Sequence, residues 1–183
     1  MKMNTKKLVL NALLLGIGLV LHQIEPAIFG VKPDMTLIML FAIMIINKDD
    51  YKTCLICGII TGLFSAMTTS FPGGQVPNII DKAITTNISF FIMMAMYKVP
   101  FIKKLSEKKQ DFTVYNILMC FGTVISGLIF LISAQILVGL PGNMNLSMLF
   151  TAVVVPAIGI NLIVGAIVFK VIHSTMKKVS FQN

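Results

Sequence analysis

The sequence predicts an all-α integral membrane protein, a bundle of six transmembrane helices with both termini in the cytoplasm. Two features of the composition and one of the patterning predict this fold class. Hydrophobic residues fill 56% of the 183 positions and charged residues only 12%, whereas a soluble domain carries about 25% charged residues. The apolar residues also fall into separate runs with short polar connections between them. We therefore expect a single transmembrane domain over residues 1–183, without an appended soluble domain.

The predicted spans are the six apolar runs at about 8–24, 34–46, 53–70, 79–97, 112–138 and 148–172. The first run resembles a signal peptide, but no small-residue cleavage site follows it, so we expect it to be retained as a span. The second run is short, because about 13 residues of helix rise about 20 Å against a hydrocarbon core of about 30 Å. If it crosses, we expect the bilayer to thin around it or its polar ends to extend it.

The lysines decide whether the second run crosses. All fifteen basic residues are lysines, and six crossings place thirteen of them on one side, against Lys32 and Lys82 on the other. If the second run did not cross, eleven lysines would lie outside. Positively charged connections stay in the cytoplasm, so the distribution favours six spans with cytoplasmic termini. The net charge of +8 is then a topology signal, and no nucleic-acid partner is expected.

Small residues recur at four-residue spacing on several predicted helices. Gly58 and Gly62 form a GxxxG on the third span, and Ala12 and Gly16 repeat the spacing on the first. Such stripes let helices approach closely in a membrane. Internal packing is the simpler interpretation for Gly58 and Gly62, whereas Ala12 and Gly16 are equally compatible with an outward face for a partner subunit. Cys54 and the cysteine three residues later lie in an apolar run and are interpreted as packing thiols.

Polar side chains gather at one end of the predicted bundle, at the outer ends of the spans and in the connection FPGGQVPN, residues 71–78. This end contains His22, Gln23, Glu25, Asp34, Thr68, Thr69, Ser70, Asn78, Asp81, Lys82, Thr85, Gln135, Asn143 and Asn145. Polar residues inside a membrane are costly and mark ligand paths. The pattern predicts a small polar-lined pocket that is open to the extracellular side.

Purely structural roles remain open for several of these residues. Asn78 can cap the fourth helix in a capping box with Asp81, and Asp34 after a proline is expected to be an N-cap. His22 can pair with Gln135 across the bundle.

Two further features each have two interpretations. Lys82 in the first helical turn opposes the helix dipole, so it either neutralises its neighbour Asp81 or binds a carboxylate. Gly73 and Gly74 form either a tight turn or a backbone anion site. On the last span, we expect Pro156 to kink the helix and Asn161 to satisfy the freed carbonyls.

The sequence lacks the usual motifs of enzymes. It contains no P-loop, no GxSxG, no HExxH and no His, Cys or carboxylate cluster with metal-ligand spacing. An enzyme is therefore not expected, and neither a metal nor another cofactor is predicted.

Three stretches carry a family resemblance that covers essentially the whole chain. NALLLGIGLVLH at 11–22, KPD at 32–34 and FPGGQVPN at 71–78, with the Asp81–Lys82 pair, resemble the bacterial tryptophan transport proteins. The six short spans also resemble the substrate-binding S components of energy-coupling-factor (ECF) transporters. The resemblance implies a protein of the bacterial cytoplasmic membrane that captures tryptophan from outside. It also implies an ECF transmembrane coupling protein and two ATP-binding subunits as partners.

By that resemblance Ala12 and Gly16 are the face that docks the coupling protein, although Gly16 departs from the family's AxxxA stripe. Two alternatives stay open: the same architecture serving another small ligand, such as a vitamin or another aromatic amino acid, and a non-transporting membrane scaffold.

A zwitterionic aromatic amino acid fits the predicted polar set. Lys82 or the backbone N–H groups of the two glycines can hold its carboxylate, and Glu25 or Asp81 can face its ammonium. A side-chain amide can accept from the indole N–H, while Phe and Met pack on the ring. The absence of tryptophan from the chain agrees with a protein made when tryptophan is scarce. The predicted substrate-binding residues are His22, Gln23, Glu25, Gly73, Gly74, Gln75, Asn78, Asp81, Lys82 and Gln135.

Overall fold

The computed structural model describes residues 5–28, 30–142 and 144–178, with side chains up to residue 175. Two residues used in the predictions, Lys2 and Asn143, lie outside this part. Within the described residues every regular element is helical, which confirms the predicted all-α class.

The helices follow the predicted runs closely. They are α1 Thr5–Ile24, α2 Met35–Ile46, α3 Tyr51–Thr68, α4 Gln75–Lys98, α5 Pro100–Lys103, α6 Glu107–Leu137, α7 Leu146–Leu149, a π-helical segment Phe150–Val154 and α8 Val155–Lys178. Several begin before their apolar run, because a helix continues into polar flanks that hydropathy does not mark. In the described part, α1, α3, α4, α6 and the continuous stretch 146–175 are long and apolar enough to span a membrane, and α2 is a shorter apolar helix.

The short helix α2 forms the centre of the bundle. Every residue from Met35 to Ile45 is buried, and the helix packs against α1, α3, α6 and α8. Asp34 accepts a hydrogen bond from the Leu37 N–H at 2.9 Å, which confirms it as the N-cap. Because other helices rather than lipid surround α2, its short length creates no mismatch with the bilayer. The predicted thinning of the bilayer around it is therefore unnecessary.

Small residues set the closest helix contacts. A methyl group on Gly62 would come within 3.2–3.3 Å of the Ile79 backbone on α4, and one on Gly58 would overlap the Thr86 side chain. The stripe on α3 thus serves internal packing against α4, as the simpler interpretation held. Cys54 is buried in the same core, and its thiol donates to the Asn47 carbonyl at 3.4 Å.

The six longest helical segments in the described part of the chain are α1, α2, α3, α4, α6 and the continuous stretch 146–178. They alternate in direction, and one end of each lines a single cavity. At the opposite end, polar contacts join the helices. Asn47 donates to the Asn11 side chain at 2.9 Å. Asp111 accepts from the Tyr97 hydroxyl at 2.6 Å and from Lys48 at 3.2 Å. We call the two ends the cavity end and the closed end.

Candidate binding cavity

A cavity of about 450 Å³ lies at the cavity end of the bundle. This volume falls within the range of about 300–1,000 Å³ that is typical of small-molecule sites. Its walls come from the ends of α1 and α3, the starts of α2 and α4, the connection between α1 and α2, and the facing parts of α6, α7, the π-helical segment and α8.

The cavity exists because α2 is short. Its 12 residues rise about 18 Å, whereas the 24 residues of α4 and the 31 of α6 rise about 36 and about 46 Å. The longer helices continue past the first residue of α2, and beyond that point no central helix fills the bundle. Asp34, which caps α2, and Leu37 in its first turn therefore line the cavity.

A buried ion cluster joins the wall on α4 to this cap. The Lys82 ammonium lies 2.7 Å from an Asp34 carboxylate oxygen and 2.8 Å from an Asp81 oxygen. It also donates to the Ser126 hydroxyl at 3.0 Å. A lysine ammonium has three donors, so all of them are used. The cluster thus sets two carboxyl groups against one ammonium.

The hydroxyl groups around the cluster satisfy the remaining acceptors. Ser126 and Thr85 each donate to Asp81 at 2.8 Å, and Thr36 donates to Asp34 at 2.7 Å. Burial by itself would raise the pKa of the Asp34 carboxyl, but the adjacent Lys82 ammonium holds that pKa well below its usual range. Asp34 therefore stays ionised at the base of the cavity.

Asn161 connects the same cap to α8 and α6. Its side-chain carbonyl accepts from the Asp34 N–H at 2.9 Å, and its amide donates to the Thr123 hydroxyl at 3.1 Å. Both amide groups are thus used across helices, and the expectation that Asn161 satisfies carbonyls freed by Pro156 is wrong. The irregularity lies just before that proline, in the π-helical segment, which supplies Val153 and Val154 to the cavity wall.

His22 lines the cavity from the last turn of α1. Its Nδ1 lies 2.9 Å from the Thr68 hydroxyl oxygen, and that hydroxyl donates to the Phe64 carbonyl at 2.8 Å. A threonine hydroxyl has one proton. Because this proton goes to Phe64, Nδ1 must be the donor to Thr68, and Nε2 remains for other partners. The alternative that His22 pairs with Gln135 is wrong.

Glu25 is the unpartnered polar group of the cavity. The residue is only 8% exposed, and neither carboxyl oxygen has a hydrogen-bond partner among the described residues. Burial chiefly, and then the negative charge of Asp34, raise the pKa of Glu25 to about 8, against the opposing effects of Lys32 and the Met35 N–H. A buried polar group without a partner requires an explanation, and a ligand group is one.

Another part of the cavity wall is apolar and aromatic. The rings of Phe71 and Phe130 meet edge to face with their centroids 5.3 Å apart, and both line the cavity with Leu131, Leu149 and Val154. The loop that carries Phe71 turns through Gly73, whose φ of 73° suits glycine. A side chain there would also overlap Val138. The cavity thus has a charged side and an aromatic side.

The structure brings half of the predicted site residues together. His22, Glu25, Asn78, Asp81 and Lys82 line the cavity. The other five do not line it: the side chains of Gln23, Gln75 and Gln135 are exposed, and Gly73 and Gly74 form the turn before α4. Their assignment to the substrate stays a prediction.

Asn78 does not cap α4, so that alternative is wrong. The helix begins at Gln75 with Gly74 as the N-cap, and the Asn78 amide donates back to the Gly74 carbonyl at 2.8 Å. Pro77 favours this earlier start, because a proline in the first turn gives up only an N–H that has no partner within the helix.

Sequence reasoning missed the contribution of α6. Thr123, Ser126 and Phe130 all line the cavity, and their spacing of three and four residues places them on one helix face. That spacing was visible in the sequence. Lys32, which the sequence marks as an outer lysine and as part of the KPD stretch, also lines the cavity. Its side chain forms no ion pair with the described residues.

Comparison with known proteins gives the family. Residues 4–177 match the family described as "Tryptophan transporter TrpP". The chain belongs to this family. The matched stretch includes every residue that lines the cavity.

Three curated proteins, each named "Probable tryptophan transport protein", resemble this TrpP-family chain over nearly their whole length. The protein from Clostridium acetobutylicum is 47% identical over 181 residues, which cover 98% of both chains. That from Clostridium perfringens is 40% identical over 97% of this chain and 96% of its own. That from Bacillus subtilis is 39% identical over 98% and 97%. No solved structure matches the chain. Membership of a transporter family, together with several apolar helices, identifies a multi-pass membrane protein.

Proposed function

We propose that the protein takes up tryptophan, binding it from the extracellular side in the cavity described above. The observation that carries the proposal is that one cavity combines an unpartnered carboxyl group with an aromatic wall, in a chain of the TrpP family. One wall holds the unpartnered carboxyl of Glu25, and the other holds the Phe71–Phe130 pair. Tryptophan joins a charged amino-acid group to a large aromatic ring, so it matches both walls.

The ligand orientation follows from which groups are free. The ammonium group faces Glu25, and the carboxylate faces Lys32. Lys82 is a poorer candidate for the carboxylate than the sequence suggested, because its three donors are already used. The indole ring packs on Phe71 and Phe130, where aromatic pairs gain about 0.5–1.5 kcal/mol beyond burial.

The proposed topology has six crossings, with the cavity end outside and both termini in the cytoplasm. Two observations support it. The ends of six helical segments meet at the cavity, and nearly all lysines belong to the other end of the bundle, in terminal helical turns or in connections. Lys82 is now accounted for inside the bundle, which leaves Lys32 as the lysine at the outer end.

Cysteine labelling tests the orientation. Cysteine introduced at position 75 should react with a membrane-impermeant maleimide added to intact cells, and cysteine at position 104 only after permeabilisation. The parent for both is the Cys120→Ser variant, since the other two native cysteines are buried. The reverse labelling pattern would refute the topology.

We further propose that the protein acts as the S component of an ECF-type transporter. Ala12 is exposed, and a methyl group on Gly16 would meet nothing within 4 Å. The face of α1 that carries Ala12 and Gly16 is therefore not used in packing the bundle, which supports a coupling protein as its neighbour. Under this proposal the ATP-binding subunits supply the energy.

The absence of tryptophan from the chain makes the binding test direct. Indole fluorescence of the purified protein with added tryptophan comes only from the ligand, and transfer into the apolar cavity should shift the emission to shorter wavelength. Tryptophan analogues should displace bound tryptophan in this assay, and riboflavin or biotin should not. Competition by a vitamin alone would overturn the tryptophan assignment in favour of another ligand, and no binding of any of these ligands would favour a scaffold.

Uptake tests the coupling proposal separately. Cells that express the protein with the coupling protein and both ATP-binding subunits should accumulate radiolabelled tryptophan, and cells without those subunits should not. Undiminished uptake without them would refute the ECF assignment and leave tryptophan transport in place.

A further inference from the structure

Glu25 is unusual among the ionisable groups that line the cavity, because no described side chain bonds to its carboxyl oxygens. It follows the last residue of α1 directly and is 8% exposed. Both of its carboxyl oxygens are buried without a hydrogen-bond partner in the described part of the chain. The neighbouring Met35 N–H, which lowers the pKa of Glu25, bonds to the Pro33 carbonyl at 3.1 Å.

The charged groups around it leave no cation bound to Glu25. The cavity-lining groups that carry or can carry charge are His22 on α1, Lys32 and Asp34 in the connection to α2, and Asp81 and Lys82 on α4. Lys82 is held by the two aspartates, and Lys32 is exposed. The facing parts of α6 and α8 contribute only uncharged polar groups, Thr123, Ser126 and Asn161.

A carboxyl group in this position is protonated at neutral pH. Burial first, and then the charge of Asp34, set the pKa of Glu25 at about 8. A protonated carboxyl can accept only a weak hydrogen bond from an ammonium group, whereas an ionised one forms the stronger charge-assisted bond. Capture of an ammonium group therefore favours loss of the proton.

We propose that Glu25 is the ammonium subsite and that it exchanges its proton for the ammonium group of the substrate, so that each capture releases one proton to the external solution. The O–H bond of the carboxyl breaks, the proton passes to water or buffer, and the carboxylate accepts N–H donors from the substrate. The inference rests on the proposed function and adds to it the release of one proton for each tryptophan bound.

The exchange makes affinity depend on pH in a defined direction. The free protein holds the proton and the complex does not, so binding strengthens as pH rises towards the pKa of free Glu25 and then levels. With that pKa at about 8, the dissociation constant should fall about 50-fold from pH 6 to pH 8, because each pKa unit is a factor of ten.

Calorimetry of the purified full-length protein measures the proton directly. Tryptophan is titrated at pH 7 in two buffers with different ionisation enthalpies, and the difference in binding heat gives the protons released, for which we expect about 0.9 per tryptophan. Tryptamine, which keeps the ammonium group, should release the same number. Indole-3-propionate, which lacks it, should release none.

Variants assign the proton to one residue. Glu25→Gln should abolish the release and flatten the pH dependence, whereas Glu107→Gln should change neither. Glu107 is the other glutamate of the chain, and its side chain is 84% exposed at the closed end.

The outcomes separate the two proposals. Tryptophan binding without proton release, or release that survives Glu25→Gln, would overturn the exchange and leave tryptophan binding intact. No tryptophan binding at any pH would overturn the proposed function itself. If Glu25→Gln does not fold, the number of protons that the unmodified protein releases with tryptophan, tryptamine and indole-3-propionate still decides whether the exchange occurs.

Discussion

Replacing Lys82 by methionine tests whether one ammonium holds two buried carboxylates. Methionine has a similar length but no charge, so packing changes little. Asp81 keeps its hydrogen bonds from Ser126 and Thr85, and Asp34 keeps those from Thr36 and the Leu37 N–H. What the variant removes is the cation, which now lies within 2.8 Å of both carboxylates.

The expected loss is about 3–5 kcal/mol in the free energy of unfolding, the usual result of removing one partner of a buried pair. Most of this loss should come from Asp81, whose side chain is 1% exposed, because Asp34 is 26% exposed towards the cavity and can be hydrated. Adding Asp81→Asn to Lys82→Met removes the more deeply buried of the two charges. The double variant should therefore recover most of the loss, since an uncharged replacement of a buried pair is often nearly neutral.

Unfolding of the purified protein in mixed micelles with increasing SDS, followed by circular dichroism, measures these differences. Lys98→Met is the matched control, because Lys98 is the exposed last residue of the same helix. Lys98→Met should change the free energy of unfolding by no more than about 0.5 kcal/mol. The reasoning fails if Lys82→Met unfolds like this control, or if the double variant is no more stable than Lys82→Met alone.

Two further substitutions have matched controls. Gly122→Ala should destabilise the bundle by about 1–3 kcal/mol, because the added methyl group would overlap the Phe41 ring. Gly16→Ala should unfold like the parent in the same SDS titration, and equal losses at both positions would contradict the packing. Phe130→Ala should weaken tryptophan binding about 2- to 12-fold in the fluorescence assay. Phe121→Ala, at a position 57% exposed on the same helix, should not, and an equal loss would exclude the aromatic wall.

Much of the fold was predictable because a membrane imposes simple rules. Each span needs a run of apolar residues, and the runs in the sequence mark the helices to within a few residues. Asp34 was predictable as an N-cap, because an aspartate between a proline and an apolar run is typical of a helix start. The predicted start of α4 was too late, because hydropathy marks the apolar run that begins at 79 and not the polar first turn before it. Pro77 in that turn was the better indication of the helix start.

The cavity was predictable in part. The polar residues near the ends of α1 and α4 were found because polar groups are rare in such a chain. The glutamines at 23, 75 and 135 are equally polar but exposed, and sequence spacing alone does not fix which way a helix is rotated. Phe130 was not predicted as a cavity residue, because phenylalanine is common in this chain, with thirteen copies. Only its contact with Phe71 in the structure distinguishes it from the others.

Composition and the order of apolar runs determined, without coordinates, that this chain is a helical membrane protein. The resemblance of the stretches at 11–22, 32–34 and 71–78 indicated the tryptophan transport family, which the family match confirms. Only the tertiary structure decided which polar groups are already used and which are free. Lys82 and Asp81 looked like ligands in the sequence, but they bind each other, Asp34 and Ser126. Glu25 and Asp81 were equal candidates for the ammonium group in the sequence, and only Glu25 is left without a partner among the described residues. The physical reason is that a side chain's charge is a local property, whereas its compensation depends on what other helices bring within 3 Å.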